Sequence, residues 1–382
     1  MKPANEHAGH IPIHRLIAES LAAAIERGEY PHGSRLPSEL TLAAQFGISR
    51  GTLRHALNTL RARGLIDAVP TRGWFVRATA PEPAQGRRRV VGVVIPSVAR
   101  PSLPELLSAI EDELHDHGYS MLVGSSGWNR EQQAGRIRRI LAEGVSGLIC
   151  YPIDYGPDGE LFSGLADAGF PVLLIDRHIL GCDVDAVEVD NAGGAYAAVT
   201  HLIGQGHRRI AFISTDNLST TSVAERLEGY RRAHESAGIE ADPRLLFARI
   251  PIVRTWGTDY PMASKDQAQV IAAFLESSDA TAAFALHDLL ALEVVAAARS
   301  LRRRVPEDFA VAGFDDDPLL GNVAVPLTTV AQPRDRIGRT AARLIVDRIE
   351  GRRTETSRVV LPTRLVVRRS TVSEFRLSAA SA

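Results

Sequence analysis

Apolar residues near the start of the chain recur with helical spacing. Ile13, Leu16, Ile17, Leu21 and Ile25 step by three and four, and Gly28 offers a stop. Ser38–Phe46 repeats the pattern with Leu42, Ala43 and Phe46 inward and Gly47 as its end. Ser49 is a natural N-cap for a third helix over Arg50–Arg63, striped by Leu53, Leu57 and Leu60 and closed by Gly64. Leu65–Val69 and Trp74–Arg77 then flank the turn Pro70-Thr71-Arg72-Gly73 and predict a two-stranded ribbon. Three helices and such a ribbon make a winged helix-turn-helix.

Ala78–Arg89 is rich in Pro, Gly and Ala, lacks periodicity and reads as a linker. Beyond it the pattern changes to short apolar runs separated by helical stretches. Candidate strands are Val90–Ile95, Met121–Val123, Gly147–Cys150, Val172–Ile175, Ala186–Val189, Ile210–Ser214, Ala282–Ala285 and Ala310–Gly313. Candidate helices are Leu106–His117, Glu131–Glu143, Gly193–Gln205, Val223–Ala237, Lys265–Glu276, Leu289–Leu301 and Arg334–Glu350. Strands this apolar predict parallel sheets covered on both faces, with ligands at the carboxyl ends of the strands. Polar groups follow several of them: Ser97 and Arg100, Asp176 and Arg177, His287 and Asp288, Asp315 and Asp316. The pattern restarts after Asp190-Asn191, which suits two similar lobes with a cleft, although alternation alone fits one long sheet equally well. No Gly-x-Gly-x-x-Gly follows the first strand and no P-loop lysine motif occurs, so no nucleotide cofactor is expected.

Composition narrows the class. With 382 residues, 45% hydrophobic, 31 Gly, 21 Pro and 2 Cys, the chain has room for two or three cored domains and is neither collagenous nor a disulfide scaffold. No run approaches the roughly 20 apolar residues that span a bilayer. Met1–His14 has no apolar segment of the signal-peptide type, and Cys150 and Cys182 have no metal or disulfide spacing. A cytoplasmic protein without a membrane partner is expected. The net charge of −1 hides an asymmetry: residues 1–89 carry 13 Lys+Arg against 7 Asp+Glu, hence +6, and the remainder carries −7. A basic head on an acidic body points to a polyanionic partner for the head.

The third helix carries the matching chemistry. Opposite its leucines stand Arg50, Thr52, Arg54, His55, Asn58 and Arg61, and Arg50, Arg54, Asn58 and Arg61 form one strip without an acidic interruption. Such a helix fits the major groove, where Arg reads guanine bidentately. Its amino terminus, with the Ser49 and Thr52 hydroxyls, favours a phosphate, and Arg72 and Gly73 at the wing tip suit the adjacent minor groove or backbone. The string from Gly33 to Ile66, with Leu36-Pro37-Ser38-Glu39 and Ser49-Arg50-Gly51-Thr52-Leu53-Arg54, resembles the head of the GntR family of bacterial transcription regulators. The resemblance implies operator contacts by Arg50, Thr52 and Arg54. Leu40 stands where that family commonly has Arg, and the wing reads Thr71-Arg72-Gly73-Trp74-Phe75 in place of Gly-x-Gly-Thr-Phe.

Residues from Val90 to about Arg369 resemble the effector-binding core of the LacI/GalR family, similar to periplasmic sugar-binding proteins. The matching strings include "GVSGLICYP", "PVLLIDR", "VEVDNAGGAYAAVTHLIGQGHRRIAFI", "FALHDLLALEVVAAARSLRRRVPEDFAVAGFDDDPL" and "LTTVAQP". A GntR-type head on a LacI-type core is also the arrangement of the arabinose-responsive repressors. The resemblance implies effector contacts by Arg226, Asp288, Asp315 and Gln332, with His287 where the family usually has Asn. Carboxylates, guanidinium and amide suit a polyol. Asp176-Arg177 matches the family's Asp-Arg, read as a ligand contact or as a lobe-closing or structural ion pair, and Trp256 is a candidate for stacking on a sugar face.

Other constellations receive plainer readings. His7, His10, His14, His115 and His117 lack carboxylate or Cys partners at ligand spacing, so no metal is expected. Asp315-Asp316-Asp317 reads as one ligand-binding Asp with turn and cap residues, and Arg302-Arg303-Arg304 as a solvated helix end that suits the dipole. An enzyme with an accessory DNA-binding head would need, in its pyridoxal-phosphate version, a Schiff-base lysine, and the body holds only Lys265. The expected fold is α/β: a winged helix-turn-helix over 1–77, a linker over 78–89, a two-lobed periplasmic-binding-protein-like core over 90–370, and a tail over 371–382. Lobe 1 is expected to take 90–190 and 333–352, and lobe 2 to take 191–332 and 353–370. The expected function is a homodimeric repressor with no catalytic residues or cofactor. Its partners would be operator DNA and a small sugar effector, with a purine, nucleoside or sugar phosphate as alternatives.

Overall fold

The computed structural model describes residues 13–31, 33–62, 65–69, 73–76, 89–98, 100–153, 157–250, 265–318 and 323–372. The chain divides into two compact units, the smaller containing Met1–Glu82 and the larger nearly all of the remainder. The linker residues up to Arg88, the turn residues Pro70, Thr71 and Arg72, and Trp256 lie outside the described residues.

The small unit holds α1 (Ile13–Glu26), α2 (Glu39–Phe46), α3 (Arg50–Ala62) and the antiparallel ribbon β1 (Ile66–Val69) and β2 (Gly73–Val76). Capping explains the register of α2 and α3. Ser38 Oγ accepts from the Thr41 N–H, and Gly47 ends α2 in the left-handed conformation at φ 62°. Ser49 Oγ accepts from the Thr52 N–H at 3.1 Å and starts α3. Leu21, Leu42, Leu53, Leu57, Leu60, Ile66 and Val76 close one core. On α1 the buried face runs through Ala18, Leu21, Ala22 and Ile25, whereas Leu16, expected inward, is 52% exposed. Small alanines set that face because α1 packs closely on α3.

The large unit has two parallel sheets. The first has the order β13-β7-β6-β5-β3-β4 and uses Val90–Ile95 (β3), Ser120–Ser125 (β4), Gly147–Cys150 (β5), Val172–Ile175 (β6), Asp185–Val189 (β7) and Arg358–Leu361 (β13). Leu103–Asp116 (α4), Arg130–Ala142 (α5), Pro157–Asp167 (α6) and Arg334–Ile349 (α11) belong with it. The second has the order β11-β10-β8-β9 and uses Ile210–Thr215 (β8), Leu246–Ile250 (β9), Ala282–Ala285 (β10) and Ala310–Ala312 (β11). Around it lie Asn191–Gly204 (α7), Thr221–Ser236 (α8), Lys265–Ser277 (α9) and Asp288–Ser300 (α10). A small antiparallel ribbon, Thr329–Ala331 (β12) with Arg364–Val366 (β14), extends the second lobe. Gly229 on α8 lets that helix lie against α7, since a Cβ there would collide with the Ala192 carbonyl oxygen.

Two sheets decide for two lobes, and the chain passes between them at Asp190, at Gln332-Pro333 and at Pro362-Thr363. One boundary differs from expectation. The segment 353–370 is shared, because β13 pairs parallel with β7 in the first sheet before β14 joins the second lobe. Short edge strands such as β9, β12, β13 and β14 carry too few apolar positions to stand out along the chain. The arginine run also differs in part. The helix ends at Ser300, Arg303 donates to the Leu275 and Ala280 carbonyls, and Arg304 pairs with Asp308 at 2.7 Å. Arg303 thus ties the helix end to the rest of the lobe, whereas Arg302 and Arg304 remain exposed, as a solvated helix end would be.

Candidate functional sites: a nucleic-acid face and an interlobe cleft

On the head, α3 presents Ser49, Arg50, Arg54, Asn58 and Arg61 to solvent, with Thr52 half-buried at its first turn. The strip is not free of acid. Glu39 of α2 reaches across to accept from Arg54 at 3.1 and 3.4 Å, and the same carboxylate accepts from Trp74 Nε1 at 3.0 Å. The Trp74 hydrogen bond, with Arg54 beside it, holds Glu39 below the ordinary carboxylate range. The sequence could not show this contact, because α2 and the ribbon are 35 residues apart along the chain and meet only in the folded head. Arg35, absent from the sequence reading, stands beside Gly73 at the turn end of the ribbon. Together with Arg54, Asn58, Arg61 and Trp74 it lines an open groove. Gly73 belongs to β2, with φ 107°, and Arg72 lies outside the described residues.

In the body, residues after the strands of both lobes converge. A cavity is lined from the first lobe by Arg100, Trp128, Tyr151, Asp176 and Arg177, and from the second by Thr215, Ser222, Arg226, His287 and Asp315. A neighbouring cavity shares Arg100, Tyr151, Asp176 and Asp315 and adds Gln332 and Arg334. Trp128, Asp176 and Asp315 hold positive φ of 58°, 74° and 119°, so local backbone strain is concentrated where these side chains are aimed inward.

The common wall is one ion pair. Arg100 Nη2 donates across the lobes to Asp315 Oδ2, Gln332 Nε2 donates to Asp315 Oδ1 at 2.6 Å, and Arg226 Nη2 lies 3.8 Å from that oxygen. Burial opposes the charge on Arg100, yet Asp315 together with Tyr151, Asp176 and Asp317 outweighs it, and the guanidinium sits above its ordinary value. Burial likewise works against the Asp315 carboxylate, but Arg100 and Arg226 keep it below the usual range and ionised. Arg226 is seated by Asn191 Oδ1 at 2.9 Å and the Leu286 carbonyl at 2.6 Å, with its guanidinium 3.7 Å from the Phe314 ring centroid. Arg177 donates to Asp176 at 2.8 Å and to Tyr151 at 2.9 Å. That pair lies within one lobe, so the bond that closes the lobes is Arg100–Asp315 and not Asp176–Arg177.

His287 accepts the Leu290 N–H on Nδ1 at 3.1 Å, capping α10, which leaves the proton of the neutral ring on Nε2. Burial pushes its pKa down to about 3, so the ring is neutral. Asp288 departs from expectation. Its oxygens accept from the Asp317 N–H at 2.9 Å and from Thr329 Oγ1 at 2.5 Å, and it lines neither cavity. Burial and the nearby Asp315 charge raise its pKa well above normal. One helical step beyond the N-cap turns this side chain away from the cleft toward the loop after β11. Gln332 lines the second cavity only. Arg100, Trp128, Tyr151, Thr215 and Ser222 were not assigned to the site from sequence. For Arg100 the signal was its place after a strand, and the stacking partner expected at Trp256 has a described counterpart in Trp128.

Among the described residues, His178, Glu188 and Glu225 bring three potential metal ligands together. Arg358 already stands among them, 2.5 Å from Glu188 and 2.5 Å from Glu225, so a guanidinium supplies the positive charge. Among the described residues no helix is long and apolar enough to cross a membrane.

Comparison with known proteins agrees with both halves. Residues 14–76 match the family model "Bacterial regulatory proteins, gntR family", and residues 199–371 match "Periplasmic binding protein-like domain". The arabinose metabolism transcriptional repressor of Geobacillus stearothermophilus is 26% identical over 94% of this chain and 98% of its own length. The HTH-type transcriptional regulator CelR of Thermobifida fusca is 32% identical over 88% of this chain and 98% of its own. Among solved structures, a CelR–cellobiose complex superposes with a TM-score of 0.65 at 29% identity, covering 88% of this chain and all of that one. The chain belongs to the bacterial helix-turn-helix transcriptional regulators, with a GntR-type winged head and a LacI-type effector-binding body, and it is a DNA-binding regulator rather than an enzyme.

Proposed function

We propose that this regulator is a sugar-responsive repressor that acts as a homodimer on a pseudo-palindromic operator in the cytoplasm. The observation that carries the reading is the interlobe cavity, whose polar lining comes from both lobes and sits at the carboxyl ends of their strands. Arg50 and Arg54 read bases in the major groove, Ser49 and Thr52 at the α3 amino terminus hold a phosphate, and Gly73 lets the wing approach the duplex closely with Arg72. One small head reads one half-site, so two copies reach the affinity of a specific operator.

Asp315, Arg226, His287 and Arg177 contact the effector in the first cavity, and Gln332 positions Asp315 through its amide. Stacking on a sugar face falls to Trp128, and the similarity to an arabinose metabolism repressor and to a CelR–cellobiose complex supports a sugar. A ligand that engages Asp315 competes with Arg100 for the carboxylate and so favours one closure state of the lobes over the other. If that state spaces the paired heads wrongly, operator affinity drops by the roughly 5–150-fold of ordinary allosteric coupling. The test combines a thermal-shift screen of pentoses, hexoses and disaccharides with gel shifts on promoter DNA. The expected result is a sugar that raises the melting temperature and weakens operator binding. Failure of every sugar to bind overturns the effector assignment, and failure to bind duplex DNA even at low salt overturns the role of α3.

A further inference from the structure

One wall of the first cavity offers more than hydroxyl recognition. Helix α8 starts there, with Ser222 and Val223 of its first turn in the lining, and Thr220 at its N-cap makes no side-chain cap bond. The leading N–H groups of a helix have no intrahelical acceptor and carry partial positive charge. Thr215, which lines the same cavity at 2% exposure, has no hydrogen-bond partner for its hydroxyl within the protein, and neither has the fully buried Thr220. The buried guanidiniums of Arg100, Arg177 and Arg226 face this cavity, and among its described lining residues the carboxylates are Asp176 and Asp315, with His287 neutral. Both carboxylates already accept from arginines, so among the described lining residues guanidiniums outnumber carboxylates by one. A desolvated net charge is costly until an opposite charge arrives.

We infer that the effector is a sugar carrying one anionic group, a carboxylate or a phosphate, seated between the first turn of α8 and Arg226, with the Thr215 and Ser222 hydroxyls donating to it. This deepens the preceding reading and rests on the cleft being the effector site. Free helix N–H groups and charge-assisted guanidinium bonds are a combination that binds anions generally.

Calorimetry on the full-length protein tests it. The probes are glucose, galactose, ribose and arabinose, the acids glucuronate, galacturonate and gluconate, and the phosphates glucose 6-phosphate and ribose 5-phosphate. The expected result is that one anionic compound binds about tenfold or more tighter than its neutral parent, the effect of a charge-assisted hydrogen bond. Whether an acid or a phosphate wins identifies the group. Thr215→Val, isosteric and removing only that hydroxyl, should lower the affinity of the anionic compound by a larger factor than that of its neutral parent. A neutral sugar that binds as well as its acid and its phosphate overturns this inference and leaves the sugar-responsive regulator intact. If no sugar of any charge binds, both fail together.

Discussion

The head and the cleft present similar residue types, arginines and short polar side chains, but hold them in opposite ways. On α3 the arginines are exposed and stand nearly independently, and Arg54 leans on Glu39 with 66% of its side chain still open to solvent. In the cleft every arginine is buried and its partners are shared, so that Asp315 alone serves Arg100, Gln332 and the nearby Arg226. Solvent screens the first set and pays little attention to exact geometry, whereas the second set is fixed by desolvation. A substitution on the head should therefore change binding without changing the fold, and one in the cleft should change both.

The largest expected effect breaks that distinction if it fails. Asp315→Ala leaves Arg100 and Arg226 buried without their carboxylate, and removing one partner of a buried pair costs about 3–5 kcal/mol. Chemical denaturation should show this loss together with loss of the ligand response. Arg50→Ala should weaken operator binding by about 1–3 kcal/mol in a gel shift, with melting temperature and sugar affinity unchanged.

A pH experiment sharpens the contrast. His287 has a folded pKa near 3, well below its unfolded value of 6.5, so the unfolded chain binds the extra proton between these values. Stability therefore falls as pH is lowered through that window, by at most about 1.4 kcal/mol per pH unit for this one group. His287→Gln should flatten the slope measured by denaturation between neutral pH and pH 5. It should not abolish it, since burial also lowers His201, His207 and His234. The smallest effect belongs to the head: Glu39→Gln releases an exposed arginine, and the stability change should stay within about 1 kcal/mol. Operator affinity is the better readout there, since Trp74 and Arg54 lose a shared anchor.

The helices and caps of the head were legible because Ser38, Gly47, Ser49 and the Leu53-Leu57-Leu60 stripe act within a few residues of one another. The strip Arg50-Arg54-Asn58-Arg61 follows from the same local periodicity. Asp288 shows where such reading stops. It belongs to the string that resembles the family's effector site, and its type suits a polyol, but the first turn of α10 directs it to Thr329 and Asp317. Arg100 shows the converse, a residue placed after a strand whose meaning depends on Asp315, 215 positions later.

By itself the sequence determined most of the helices, the central strands and that a basic head precedes an acidic body, since periodicity, capping and charge are properties of neighbouring residues. It also carried the family resemblance in its strings. Only the tertiary structure decided which polar side chains share a cavity, which one closes the lobes, and where buried guanidiniums gather around one carboxylate. Those outcomes depend on distances between strand ends in different sheets, and burial then fixes the charge of each group through partners the local sequence does not contain.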